Sequence, residues 1–194
     1  LLQRLADLRI ARPGIVMGTD AAKISLAAML MPKADFNACL RLFLEQLPQD
    51  VAVDERPPLF LAGSPVDHVA LHAAIESAGG IVVSESLEFG GRYHQRLVRE
   101  DIDPLEALAD RYTFKFPDAW AFGRDRRIAM QVKSARNSGA HAALYFHALY
   151  DSATGWDFPD LRDALSRHGI DTRVVHDQPY HIAKPQEFAA RVGN

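Results

Sequence analysis

From Pro57 onward, short apolar or β-branched runs alternate with longer stretches of helical periodicity, and no other feature of the chain restricts its fold as much. The runs are Leu59 to Ala62, Ile81 to Val83, Ala143 to Phe146 and Thr172 to Val175. Helical patterns fall at about Asp67 to Ala78, Pro104 to Tyr112, Asp125 to Ser138, Pro159 to His168 and Pro185 to Val192. Parallel strands need a long crossover between them, usually a helix, which then covers one face of the sheet. The pattern therefore predicts an α/β domain over residues 57–194: a doubly wound, mostly parallel sheet of the flavodoxin-like or Rossmann-like kind, in three layers. Gly79-Gly80, Gly139 and Gly169 each stand between a helical pattern and a strand, where helix caps belong.

Residues 1–56 read differently, as a helical arm and linker. Leu1, Leu5 and Leu8 share a helix face, Pro13-Gly14 breaks it, and Thr19 or Asp20 is placed to cap a second helix. Pro32 opens a third, whose Phe36, Cys39, Leu40, Phe43, Leu44 and Leu47 draw one apolar stripe. Cys39 lies in that stripe, so a buried structural thiol is expected. Gln49 to Pro58 is polar and proline-bearing, as linkers are.

Composition narrows the function. The 194 residues carry 22 Lys and Arg against 25 Asp and Glu, a formal charge of -3, which leaves no basic excess for a nucleic-acid backbone. The apolar run Leu26 to Met31 is far shorter than the roughly 20 residues that span a bilayer, so no membrane partner is expected and the chain reads as cytoplasmic. A single cysteine excludes an internal disulfide and an all-cysteine metal cage made by this chain. The leading residue is Leu1, not Met, and the sequence reads as a fragment or processed product.

Candidate functional residues cluster where strands end. Ligands of open α/β sheets bind beyond the carboxyl ends of the strands, and the third strand ends in His147, Tyr150 and Asp151. A histidine beside a carboxylate has the chemistry of a general acid or base. His176-Asp177 repeats the pairing after the fourth strand, where a structural role is favoured. After the first strand, Ser64-Pro65-Val66-Asp67 has the form of a helix start, with Ser64 as cap; capping accounts for these residues, and free amides there could also hold a phosphate or carboxylate. The stretch lacks the glycine spacing of a dinucleotide fingerprint. Gly90-Gly91-Arg92-Tyr93 follows the second strand: the glycines would let a ligand approach the backbone and Arg92 could pair with a phosphate, or the segment is a surface turn. His68 and His72 lie one helical turn apart but lack the glutamate of a metalloprotease motif, so a solvated helix edge is the better reading and no metal site is predicted.

Taken in order, several phrases resemble the carboxyl-terminal half of the benzoyl-CoA reductase and 2-hydroxyacyl-CoA dehydratase family, including the 2-hydroxyglutaryl-CoA dehydratase D component. They are Leu61 to Asp67, Ala78 to Val83, Gly90 to Tyr93, Asp103 to Tyr112, Ala142 to Asp151, Asp157 to Leu161 and Phe188 to Arg191. Upstream, Gly18-Thr19-Asp20 and Met31 to Asn37 resemble the helical region between the two halves of such subunits.

The resemblance implies paired homologous subunits acting on a CoA thioester, with an iron–sulfur cluster held by cysteine thiolates and an electron supplied by an ATP-dependent activator. One cluster cysteine belongs in a Phe-Cys-Asp-like phrase, which here is Leu149-Tyr150-Asp151, with Tyr150 in the cysteine's place. A second cysteine-bearing segment is represented by Phe114 to Ala119, without cysteine. A neutral phenol is a poor substitute for a thiolate at iron. The expectation is thus a cluster-free subunit or domain with no cofactor of its own. Ser64, Arg92 and Tyr93 would bind the CoA thioester, His147, Tyr150 and Asp151 would stand at the acyl group, and the partner would be a homologous subunit or a second copy. Two alternatives stand beside it: a redox-independent acid–base enzyme using Tyr150 and His147 on an acyl-CoA, and an assembly module docking through the Phe36 to Leu47 stripe.

Overall fold

A computed structural model describes residues 1–48, 50, 52–114, 123–182 and 185–193. Three helices lead: α1 (Leu2–Ala11), α2 (Gly18–Leu30) and α3 (Lys33–Gln46). They are followed by β1 (Pro58–Gly63), α4 (Ala70–Ser77), β2 (Ile81–Glu85), α5 (Gly91–His94), α6 (Pro104–Phe114) and α7 (Arg124–Asn137). The chain then runs through β3 (Ala142–Ala148), α8 (Ser152–Ser166), β4 (Asp171–Gln178) and α9 (Pro185–Gly193).

The strands form one sheet in the order β2-β1-β3-β4, with every neighbouring pair parallel. Leu59 to Gly63 of β1 register with Ala142 to Phe146 of β3, so the two central strands are buried on both sides. This explains why they read as continuous apolar runs rather than as alternating ones. Phe60, Ala62, Ile81, Val83, Ala143 and Tyr145 pack on one side against Val132 and Ala135 of α7 and Phe158, Leu161 and Leu165 of α8. Leu61, Val82, Leu144, Phe146 and Val175 pack on the other against Leu71, Ala74 and Ile75 of α4 and Phe188 of α9. Each such large side chain, fully buried, contributes about 1.5–3 kcal/mol of transfer free energy. The fold is the doubly wound α/β architecture that the alternation implies.

The three leading helices form a core of their own, in which Leu5, Val16, Ala21 and Ala28 meet Phe36, Leu40 and Leu44. Phe36, Leu40 and Leu44 of the α3 stripe are thus consumed by the arm's own packing. Cys39 is exposed, contrary to the expectation from the stripe. It lies one position before Leu40, and the buried row is the narrower set Phe36, Leu40 and Leu44, so Cys39 and Phe43 fall on its solvent side. The arm also lies along the outer edge of β2, where the Arg9 guanidinium donates to the Val82 carbonyl. Thr19, at the start of α2, donates its N–H and hydroxyl to Glu76 of α4 at 3.2 and 2.6 Å. Helices laid over an edge strand occupy backbone groups that would otherwise invite another chain.

Three helix starts differ from the sequence reading. Ser64 caps no helix: its hydroxyl accepts the Ala148 N–H at 2.9 Å, and α4 starts only at Ala70. The helix expected from Pro159 starts instead at Ser152, because Asp151 caps it by accepting from Thr154 N–H at 3.2 Å. Pro159 then sits inside α8. The second helix begins at Gly18, ahead of both proposed caps. Gln49 to Pro58 falls partly outside the described residues, but Asp54 N–H donates to the Pro13 carbonyl at 2.9 Å, tying this segment back to the arm. No helix among the described residues is long and apolar enough to cross a membrane.

Candidate functional site

The chain leaves β1 in one direction, through α4 to β2, and leaves β3 in the other, through α8 to β4. Such a reversal opens a crevice beyond the carboxyl ends of the two central strands, the usual ligand position in these sheets. Gly63 and Ser64 form its floor on the β1 side. Gly63 has φ +121°, and an added Cβ would come 2.0 Å from the Phe146 carbonyl oxygen, so β1 and β3 approach as only glycine permits. Ser64 is buried; besides holding the Ala148 N–H, its hydroxyl lies 3.3 Å from the Thr154 hydroxyl.

His147, Tyr150 and Asp151 surround this floor on the β3 side. The His147 ring has only 13% of its side chain exposed, with Nε2 at 2.8 Å from the Asp151 carbonyl oxygen. A carbonyl can only accept, so Nε2 carries the proton and Nδ1 is the acceptor. Nδ1 faces Asp177, whose N–H donates to it at 3.5 Å and whose carboxylate lies 3.6 Å away. A proton taken up at Nδ1 would therefore be met by a carboxylate.

Asp151 accepts from the Thr154 N–H at 3.2 Å and the Thr154 hydroxyl at 2.6 Å. Burial acts to raise its pKa, but hydrogen bonds from Ser64 and Thr154 outweigh burial and hold the carboxyl below its ordinary value. Tyr150 is placed quite differently. Its backbone is left-handed, with φ 70°, and its ring is 93% exposed. The structure does not bring the Tyr150 phenol and His147 into one hydrogen-bonded pair; the Tyr150 ring instead projects into solvent, as does that of Trp156, which is 81% exposed.

Arg92 and Tyr93, on the short α5, face apart. Arg92 lies 3.9 Å from Glu88 and close enough to Tyr145 to favour ionisation of its phenol electrostatically, although burial prevails and pushes that phenol well above its ordinary value. Tyr93 turns towards the arm, where its hydroxyl accepts from Lys33 Nζ at 3.1 Å and its ring joins the arm's core. Arg92 is thus oriented towards the sheet, and Tyr93 fixes the helix to α2 and α3.

Sequence reasoning missed a second group. His72, expected on a solvated helix edge, is buried, and its Nε2 lies 2.6 Å from Oε2 of Glu85 at the end of β2. Arg9 and His94 act on the same carboxylate electrostatically. Burial works against the Glu85 charge, yet His72, Arg9 and His94 together hold its pKa below the ordinary value. Burial also lowers the His94 pKa, against the attraction of Glu85. Gly90 and Gly91 serve this group: a Cβ on Gly90 would come 2.0 Å from Glu85 Oε1, and one on Gly91 2.0 Å from the Glu85 carbonyl oxygen. The adjacent glycines were the available signal, but they make room for Glu85 rather than for a turn at the surface.

The family model of the 2-hydroxyglutaryl-CoA dehydratase D-component matches residues 1–176 of the 194. The chain belongs to this family. The match takes in the arm, the sheet as far as His176 and every residue of the crevice except Asp177. No curated protein sequence matches the chain. In this dehydratase-like component the single thiol, Cys39, is on α3 and exposed. Among the described residues no group of three or more His, Cys, Asp or Glu side chains is placed to hold a metal ion. The Phe114 to Ala119 phrase lies, apart from Phe114, outside the described residues.

Proposed function

We propose that this dehydratase-like component binds a CoA thioester beyond the carboxyl ends of β1 and β3, holds no iron–sulfur cluster itself, and works beside a homologous cluster-bearing subunit. The observation that carries the reading is Tyr150: at the position of a cluster cysteine the chain presents a phenol whose ring stands in solvent. A thiolate-held cluster needs several soft ligands converging on one point. The residues present do not fit that group, since the one cysteine belongs to α3 of the arm and nothing in the crevice replaces it.

Binding does fit. Arg92 supplies a guanidinium for a phosphate, and the exposed faces of Tyr150 and Trp156 offer stacking surfaces to a purine. Ser64 and Asp151 fix the crevice floor, while His147 and Asp177 can accept and hold a proton near the acyl group. Calorimetric titration of the chain with 2-hydroxyglutaryl-CoA tests the reading. Saturable binding, at least tenfold weaker in Arg92→Gln, is expected; no binding with or without a homologous subunit would overturn it.

A further inference from the structure

Helix α6 turns its charged side towards the protein and its apolar side outward. Asp110 pairs with Arg96, Arg111 donates to the Tyr93 carbonyl at 2.8 Å, and of the 11 residues only Ala107 is buried. The opposite side carries Leu105, Leu108, Ala109 and Tyr112, which helix geometry places on one face. All four are exposed, Leu105 to 76% and Tyr112 to 65%. A surface helix ordinarily turns such a row inward. The same spacing belongs to helices that lie in a groove of a partner. The start of α6 is acidic, with Glu100, Asp103 and Glu106 all exposed.

An open groove of about 680 Å³ runs between α7 and α8, on the outside of the layer that covers one face of the sheet. Ile128, Val132 and Ala164 give it an apolar floor. Its charges are uneven along its length. Near the start of α7, Arg124 lies 2.7 Å from Asp160 and 3.7 Å from Asp125, and further along Asp163 has Arg162 at 3.1 Å. Towards the carboxyl ends of the two helices stand Lys133, Arg136 and Arg167, which pair with no carboxylate among the described residues. Two helix ends account for only about half a charge each. In a chain whose formal charge is -3, this end of the groove is a local positive excess that calls for carboxylates.

We propose that α6 of one copy of this chain lies in the groove between α7 and α8 of a second copy. Leu105 and Leu108 rest on the floor made by Ile128 and Ala164, while Asp103 and Glu106 face Lys133, Arg136 and Arg167. A second copy is the occupant because the chain itself carries both surfaces, and they are complementary in charge and in apolar character. The 11 residues of α6 span about 16 Å and the 14 of α7 about 21 Å, so the groove is long enough. This direction also sets the amino end of α6 against the carboxyl ends of α7 and α8, where the helix dipoles attract. The two copies use different surfaces, so the contact is heterologous, and one helix in one groove belongs with the small, reversible interfaces. None of these residues belongs to the His147 crevice, so the proposal stands apart from the thioester reading.

Sedimentation equilibrium of the 194-residue chain tests the contact through two double variants, Leu105→Ser with Leu108→Ser on α6 and Lys133→Glu with Arg136→Glu in the groove. All four side chains are exposed, so both variants should unfold cooperatively close to the wild-type temperature. The wild-type mass should rise with concentration above that of one chain, and self-association should be at least tenfold weaker in either variant. Mixing the two variants should restore association as a one-to-one pair, since one keeps the groove and the other keeps α6. A wild-type chain that stays monomeric, as it would if α6 served a different protein, would overturn the proposal. So would a mixture that fails to associate, or self-association that the groove variant leaves unchanged, which would mean that α6 meets α6.

Discussion

His72 and Glu85 meet at 2.6 Å with only 4% and 5% of their side chains exposed, and the Arg9 guanidinium is buried beside them. The group joins three parts of the chain: α1 of the arm, α4, and the end of β2. Arg9 also caps the open edge of β2 through Val82. The arm is therefore attached to the sheet by charge and hydrogen bonding as well as by apolar contact, and disturbing Glu85 should loosen the arm.

Glu85→Gln removes the carboxylate and leaves Arg9 buried without its nearest counter-charge. Breaking a buried pair by deleting one partner costs about 3–5 kcal/mol, and a loss of that size is expected in urea denaturation. Adding Arg9→Met removes the stranded charge and should recover a large part of it. A loss below about 1 kcal/mol, the value of an exposed pair, would contradict this role.

Gly63→Ala tests the closeness of β1 and β3. The new Cβ would meet the Phe146 carbonyl at 2.0 Å from a backbone at φ +121°, so a loss of about 2 kcal/mol or more in thermal denaturation is expected. Gly79→Ala is the control: φ is +92° there but nothing lies within 4 Å, and a loss of about 1 kcal/mol is expected. Equal losses would mean that conformation alone, not close approach, selects glycine at position 63.

Much of the architecture could be read from the sequence because it depends on local pattern. All four strands contain their expected apolar runs, and α7 and α9 match their predicted spans closely. The exceptions arise where tertiary partners compete for a local signal. Ser64 has the form of a cap, but its hydroxyl is drawn to Ala148, a residue 84 positions later. His72 looks like a helix-edge residue until Glu85, 13 positions on, reaches it across the domain. Arg9 gave no signal, since nothing in a short helix near the amino end reveals that it will lie on a strand edge. The position of His147, Tyr150 and Asp151 at the carboxyl end of β3 was legible because strand ends are, whereas the contrast between a packed His147 and a projecting Tyr150 depends on backbone turns that sequence does not show.

Asp151 gives the crevice a defined pH response. Its pKa in the fold is below the ordinary 3.8, so its capping of α8 stabilises the fold in full above that value and is lost as pH falls through the lower one. Asp151→Ala should cost about 1 kcal/mol at pH 7. The gap between the two proteins should close as the pH is taken below 3.8 in chemical denaturation. A gap that does not narrow at all as the pH falls below 3.8 would mean that the carboxylate charge has no part in the cap.

Tyr150 adopts a left-handed backbone that disfavours any side chain, and its ring packs on nothing that would offset the strain. Tyr150→Gly should therefore stabilise the chain by about 0.5–1 kcal/mol in thermal denaturation. The same change should weaken CoA-thioester binding in calorimetry, which would show that the strained phenol is kept for a ligand. Loss of stability instead would assign the ring a structural role.

The proposed reading, a member of the D-component family that holds no iron–sulfur cluster itself, turns on Tyr150. Iron and acid-labile sulfide in protein purified without oxygen test it most directly, because a cluster leaves both in fixed proportion. The isolated chain should contain neither at more than trace level, and both should appear only with its homologous partner. Stoichiometric iron and sulfide in the isolated chain would contradict the account.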